Sequence, residues 1–251
     1  MIIIKSEQEI VTMRQSGKVT GQILNELYDF IKPGITTLAI DKFVSDIIRK
    51  NGMTPSFLGY NGYPASVCAS INSEVVHGIP SSKRMLREGD IVSVDVGCTH
   101  KGYVTDAART YAVGAISAEA QKIMDAAKDS FFEGLKFCRL GCRLSDISHA
   151  IQTKAESEGF SVIRDLVGHG VGRNMHEEPQ IPNYGQPGRG PRLAKGMVFA
   201  IEPMIAQGTY EIVTAADNWT LSMADGKLSA HYENTVVITD GEPELLTLQE
   251  R

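Results

Sequence analysis

The chain repeats itself once, at a spacing of 107 residues. Gly34 is matched by Gly141, Ile40 by Ile147, Val44 by Ile151 and Gly52 by Gly159, so a helix with its flanking glycines recurs. Farther along, EGDIVSVD at 88–95 aligns with KGMVFAIE at 195–202, pairing Gly89 with Gly196 and Asp95 with Glu202. Solenoid repeats are about 20–50 residues long and stack in several copies, so one long offset has a different meaning. It implies two α+β halves, about 6–115 and 116–245, related by approximate symmetry and forming a single domain over 1–251. The last matched pair sets an acid against an acid, so each half brings a carboxylate to the same point of a strand.

The first carboxylate lies in residues 91–110, IVSVDVGCTHKGYVTDAART, where β-branched residues flank a turn-forming CTHKG run. This reads as a hairpin. With the turn centred on His100 and Lys101, cross-strand partners sum to 201 and Asp95 faces Asp106. Directly opposed side chains have Cβ atoms about 5 Å apart, and like charges there are destabilising. At about 4 Å and an effective dielectric near 20 the repulsion is about 4 kcal/mol. Two readings stay open: solvated surface aspartates, or a pair with a cation between them. In the second half the corresponding acids are Glu202 and Glu233, 31 residues apart rather than 11. The longer connection contains Trp219.

Helices complete the plan. Ser6 and Glu9 form a capping box, and Ile10, Met13, Gly17, Ile23, Leu24 and Leu27 keep helical spacing to about Ile31, before Pro33-Gly34. A second helix runs from about Thr37 to Lys50, with Gly52 at its end, and a third from about Ser117 to Phe137. Residues 53–90 are rich in Gly, Pro, Ser and Asn and read as loops and short strands.

Composition removes several classes of function. With 251 residues and 42% apolar content, the chain buries a full core. A net charge of -5 leaves no basic footprint for nucleic acid. No apolar run approaches the roughly 18 residues of a membrane span, and MIIIK is too short for a signal-peptide core. The expected protein is soluble and cytoplasmic. Cys68, Cys98, Cys138 and Cys142 form no CxxC pair and are expected to be free thiols, the last two as fillers at a helix end.

Four acids converging from two halves would repel one another prohibitively, whereas two divalent cations neutralise them and satisfy their lone pairs. A nitrogen donor is available from His169 in GHGVG, His176 in HEEP or His77 in VVHGIP. His100 and His149 read as ordinary surface or hydrogen-bonding histidines, and His231 shares a strand face with Glu233 without further distinction. Carboxylates with one imidazole suit Mn, Fe, Co or Zn, and paired ions that activate water point to hydrolysis. No GxSxG elbow, Walker loop or GxGxxG fingerprint offers another chemistry.

The motifs VDVG, TDAART, GHGVGRNMHEEP, FAIEPM and HYENTVVIT resemble those of the type I methionine aminopeptidases of the pita-bread fold, across nearly the whole chain. The resemblance implies a dinuclear centre in which Asp95 chelates one ion, Asp106 and Glu233 bridge both, and His169 and Glu202 hold the other. It also implies that Glu202 shuttles the proton, His176 binds the scissile carbonyl, and His77 sits beside the peptide nitrogen. Phe57, Tyr60, Tyr63, Cys68, Met175 and Trp219 match the cleft for the methionine side chain. Phe57 and Met175 depart from the cysteine and aromatic residue common in close bacterial relatives. The implied substrates are N-termini of nascent polypeptides at the ribosome with a small second residue, acted on by a monomer. Two other readings are prolidase-like cleavage, whose proteins generally carry a large additional N-terminal domain, and a binding module that keeps the shape without catalysis.

Overall fold

The structure is a computed structural model that describes residues 1–248, so the last three residues of the expected domain lie outside it. Among the described residues four α-helices are formed: α1 (Glu7–Phe30), α2 (Thr37–Lys50), α3 (Ala118–Leu135) and α4 (Leu144–Ser157). The capping box at Ser6 and Glu9 is present, and Ser117 caps α3. The strands of the first half are β1 (Thr54–Pro55), β2 (Val67–Ile71), β3 (Glu74–Val76), β4 (Ile91–His100) and β5 (Tyr103–Ala112). Those of the second are β6 (Ser161–Val162), β7 (Gly168–Gly170), β8 (Glu177–Ile181), β9 (Val198–Ile201), β10 (Met204–Ala206), β11 (Ile212–Thr214), β12 (Leu221–Met223), β13 (Ser229–His231), β14 (Asn234–Val237) and β15 (Glu244–Leu245).

The 107-residue offset persists down to single hydrogen bonds. Thr37 N donates to Arg84 O at 2.9 Å, and Leu144 N donates to Pro191 O at 3.0 Å. The bridge between Thr36 and Met85 has its counterpart between Arg143 and Arg192. Gly34 and Gly141, at φ 89° and 91°, hold the same left-handed conformation, which explains why glycine recurs there. Each helix pair backs its own sheet. Leu24, Ile40, Val44 and Ile48 of α1 and α2 pack on Val92, Val94 and Tyr111, while Ile123, Phe131, Ile147 and Ile151 of α3 and α4 pack with Phe199, Ile201 and Val236.

The first sheet has the order β1-β4-β2 with β5 on β4, and the second the order β15-β14-β9-β7-β8, with every pairing antiparallel. They meet along β5 and residues 231–235, where threonine side chains replace ladder bonds. Thr110 Oγ1 accepts from His231 N and donates to His231 O, both at 2.9 Å. Thr235 Oγ1 accepts from Asp106 N at 2.9 Å and donates to Asp106 O at 2.8 Å. Between them Glu233 N donates to Ala108 O at 3.0 Å. This seam sets acids of both halves side by side.

The hairpin register differs from expectation. Lys101 and Gly102, at φ 48° and 78°, form the turn, and His100 pairs with Tyr103. A two-residue type I′ hairpin turn needs positive φ at both central positions, and a turn one residue earlier would leave Gly102 outside the place that requires it. Asp95 therefore pairs with Ala108 and Asp106 with Gly97. The two aspartates are diagonal neighbours on one face rather than direct partners.

Candidate active site

Strand alternation sends Asp95 of β4 and Asp106 of β5 to the same face, where both line one cavity. Glu202, just past β9, and Glu233, between β13 and β14, arrive opposite them and line the same cavity of about 210 Å³. His169 of β7 approaches from a flanking strand. Its Nδ1 is 2.9 Å from Gly170 O, which makes Nδ1 the protonated nitrogen and leaves the Nε2 lone pair free. Nε2 lies 3.5 Å from Glu202 Oε1 and 3.8 Å from Asp106 Oδ2. Gly168 and Gly170 are forced to be glycine, since a Cβ would fall 2.5 Å from Ala200 O and 2.3 Å from Glu178 O. The flanking glycines let this histidine strand slot between its neighbours.

Electrostatics show how ill-suited these groups are to being alone. Burial pushes Asp95 up to about 7. Asp106, Glu202 and Glu233 rise well above the usual carboxylate range, first through burial and then through one another's charge. His169 falls to about 4 because a buried imidazolium is costly. Asp95 Oδ1, Asp106 Oδ1, Glu233 Oε1 and His231 Nε2 are buried without a hydrogen-bond partner. Orphaned buried polar atoms are rare, and four around one centre fit cations better than any protein partner. Two trios of ligand atoms, Asp95-His231-Glu233 and Asp106-His169-Glu233, each lie within 4.8 Å of one another.

The accessory histidines border the same cavity. His176 Nδ1 is 2.8 Å from the Tyr60 hydroxyl, and its ring centroid is 4.3 Å from that of His169. His77 sits in the left-handed region at φ 59°, a conformation a histidine rarely adopts. Burial lowers the pKa of His77 and of His176, so both favour the neutral form. Beyond them Phe57, Tyr60, Tyr63, Cys68, Met175 and Trp219 line an apolar recess. Trp219 arrives on the long connection of the second half and packs edge-on against Tyr63 at 5.1 Å and His77 at 6.3 Å. That connection is anchored across the halves, since Leu221 of β12 pairs with Val76 of β3. His149 is elsewhere, with Nδ1 3.1 Å from Gly185 O.

Residue patterns alone undervalue two groups. Arg109 is buried, stacks 4.0 Å over the Tyr232 ring, and donates to Glu233 O and Asn234 Oδ1, holding the strand that presents Glu233. His231 turns out to be buried against the acids, 3.6 Å from Glu233 Oε2 and 4.0 Å from Glu202 Oε2. Its alternation with Glu233 was the available signal.

The sequence pattern of Metallopeptidase family M24 matches residues 11–240. The chain belongs to that family. It is 56% identical over 250 residues to a methionine aminopeptidase of Clostridium acetobutylicum, with 100% of both chains covered. It is 49% identical to methionine aminopeptidase 1 of Bacillus subtilis, covering 98% of this chain and 99% of the relative. The crystal structure of methionine aminopeptidase from Thermotoga maritima, 45% identical, gives a TM-score of 0.98 and covers 99% of this chain and 100% of that one. The prolidase from Pyrococcus furiosus, 23% identical, shares the fold alone, with a TM-score of 0.77 over 99% of this chain and 66% of that one. These neighbours place this M24 member in the α+β pita-bread fold expected from its motifs, and its donor set is one that divalent cations fit. Among the described residues, no helix is long and apolar enough to cross a membrane.

Proposed function

We propose that this M24 metallopeptidase is a methionine aminopeptidase, which hydrolyses the first peptide bond of polypeptides that begin with methionine and continue with a small residue. The observation that carries the reading is the convergence of Asp95, Asp106, His169, Glu202 and Glu233 beside an apolar recess within one cavity. The names of its closely similar relatives support the substrate.

Asp95, Asp106, His169, Glu202 and Glu233 would hold two divalent cations, drawn from Mn, Fe, Co or Zn. Such a pair supplies a water acidic enough to ionise near neutral pH and a Lewis acid for the scissile carbonyl. The chain's own groups do the rest. Glu202 takes a proton at its carboxylate and returns it to the leaving amine. His176 Nε2, aimed by Tyr60, donates to the carbonyl oxygen as negative charge develops there. His77 holds the peptide nitrogen side of the bond. Phe57, Tyr63, Cys68, Met175 and Trp219 enclose an unbranched thioether, and two aromatic edges with sulfur nearby suit that polarisable group.

The same reading makes residues 1–251 one catalytic domain built of two halves, working as a monomer in the cytoplasm on N-termini emerging from the ribosome. The test is hydrolysis of Met-Ala and Met-Gly peptides beside Xaa-Pro peptides. Release of methionine that stops on chelation and returns with Mn, Co or Fe is the expected result. Turnover of Xaa-Pro in preference would assign a prolidase-like activity. No turnover of either by fully metallated protein would leave a binding module.

A further inference from the structure

His231 is a buried polar group at the centre that the proposed function does not use. It ends β13, and its backbone is pinned on both sides by the Thr110 hydroxyl, which accepts from His231 N and donates to His231 O. The residue is 2% exposed, and Nε2 has no hydrogen-bond partner. That nitrogen points among the acids, 3.6 Å from Glu233 Oε2 and 4.0 Å from Glu202 Oε2. With Asp95 and Glu233 it forms a trio of donor atoms mutually within 4.8 Å, the counterpart of Asp106, His169 and Glu233. The two trios share one glutamate, and each contains one imidazole.

We propose that His231 is a sixth protein donor of the metal centre, its Nε2 binding the cation on the Asp95 side, so that both positions of the pair contain nitrogen. The proposal rests on the dinuclear metallopeptidase reading. Its chemistry follows from donor type: carboxylates and water alone suit Mn and Mg, while an added imidazole shifts preference toward Fe, Co and Zn. The second position should then be filled more tightly, and by softer ions, than a site of carboxylates alone.

The experiment uses the full-length protein, stripped of metal and titrated with Co(II) alone. Calorimetry gives the two affinities, and proton NMR of the loaded protein counts exchangeable imidazole N–H signals shifted far outside the ordinary range by the paramagnetic ion. The expected wild-type result is two bound ions and two such signals, one from each ligating histidine. In His231→Gln one signal disappears, and the weaker ion binds at least about tenfold less tightly, since even groups that only orient ligands change affinity by about 10–100-fold. A single shifted signal in the wild type overturns the proposal without any variant, because His231 would then only hydrogen-bond to Glu233 or Glu202. Unchanged affinity in both His231→Gln and His231→Asn overturns it as well. A wild-type chain that takes up no ion pair sinks the metallopeptidase reading itself, a result distinguishable from loss of one donor.

Discussion

The hydroxyl of Tyr60, on a 3₁₀ turn of the first half, meets Nδ1 of His176, from the loop before β8 in the second half, at 2.8 Å. The bond ties the two halves together beside the cavity that holds the acids. It also leaves Nε2 of His176 free for the role proposed for it at the scissile carbonyl. Removing the ring in His176→Ala should lower kcat by about 10²–10³, the range for loss of one donor to a developing oxyanion. Tyr60→Phe keeps the ring of His176 but releases its orientation, and kcat should fall less, with KM for Met-Ala peptides nearly unchanged. Steady-state kinetics on the two variants checks this. A larger loss in Tyr60→Phe than in His176→Ala would reverse the roles assigned.

Lys5 and Glu177 form a second tie to the same loop, an ion pair at 2.6 Å with side chains 3% and 2% exposed. Glu177 Oε1 also accepts from Asn174 N at 3.2 Å, so the carboxylate spans the turn that carries His176. Breaking one partner of a buried pair leaves an uncompensated charge and costs about 3–5 kcal/mol, whereas apolar replacement of both is often neutral. Lys5→Met should therefore destabilise the protein by that amount in denaturant unfolding, and Lys5→Met with Glu177→Leu should recover most of it. Equal destabilisation in the single and double variants would show that the charges do not act as a pair.

Much of this architecture is legible in the residues because the repeat left marks that physics enforces. Gly34 and Gly141 need positive φ, and α2 and α4 occupy the same numbers shifted by 107. The turn at Lys101-Gly102 was harder to place, since CTHKG offers several turn residues and a shift of one changes every cross-strand partner. Asp95 and Asp106 still shared a face because the centre moved by one residue, which changes the partner sum from 201 to 203 and keeps its parity. His231 could not be singled out from alternation alone, since burial against Glu202 depends on how β13 and β9 meet across the fold. Arg109 was hidden for the same reason: its partners lie 124 and 125 residues away.

Stability of the metal-free protein should fall as pH rises through neutrality. Asp95, Asp106, Glu202 and Glu233 have folded pKa values above their unfolded ones, so their contribution is full at low pH and is lost as pH climbs through about 7 and beyond. His169 and His231 run the other way, with folded values of about 4 and about 3 against an ordinary 6.5, so they favour the fold above 6.5 and lose that as pH falls. The two effects oppose one another in mildly acidic solution, and of these six groups only the carboxylates still titrate above 6.5. Calorimetry in chelator should show Tm declining from pH 6.5 to 9. Saturating Mn or Co should raise Tm most at the alkaline end, since binding to the native state alone stabilises it. A Tm that is the same with and without metal across this range would mean the cations do not relieve the carboxylate repulsion.

Phe57 sets the width of the recess through Gly97. A Cβ on Gly97 would fall 2.7 Å from Phe57 Cε1 and 2.9 Å from Ser56 Cβ, so the ring rests directly on the backbone of β4 beside Asp95. Gly97→Ala should push the ring into the space proposed for the methionine side chain and lower kcat/KM for Met-Ala peptides at least about tenfold, within the roughly 1–3 kcal/mol that a methylene-sized change in a pocket is worth. Phe57→Ala should lower the same quantity by lost contact while improving relative turnover of peptides that begin with a bulkier residue. Combining Gly97→Ala with Phe57→Leu should restore part of the loss, because the smaller side chain yields to the added methyl. If Phe57→Ala leaves the preference for methionine unchanged, the side chain is held elsewhere in the cavity, and Tyr63 with Trp219, 5.1 Å apart, become the walls to test.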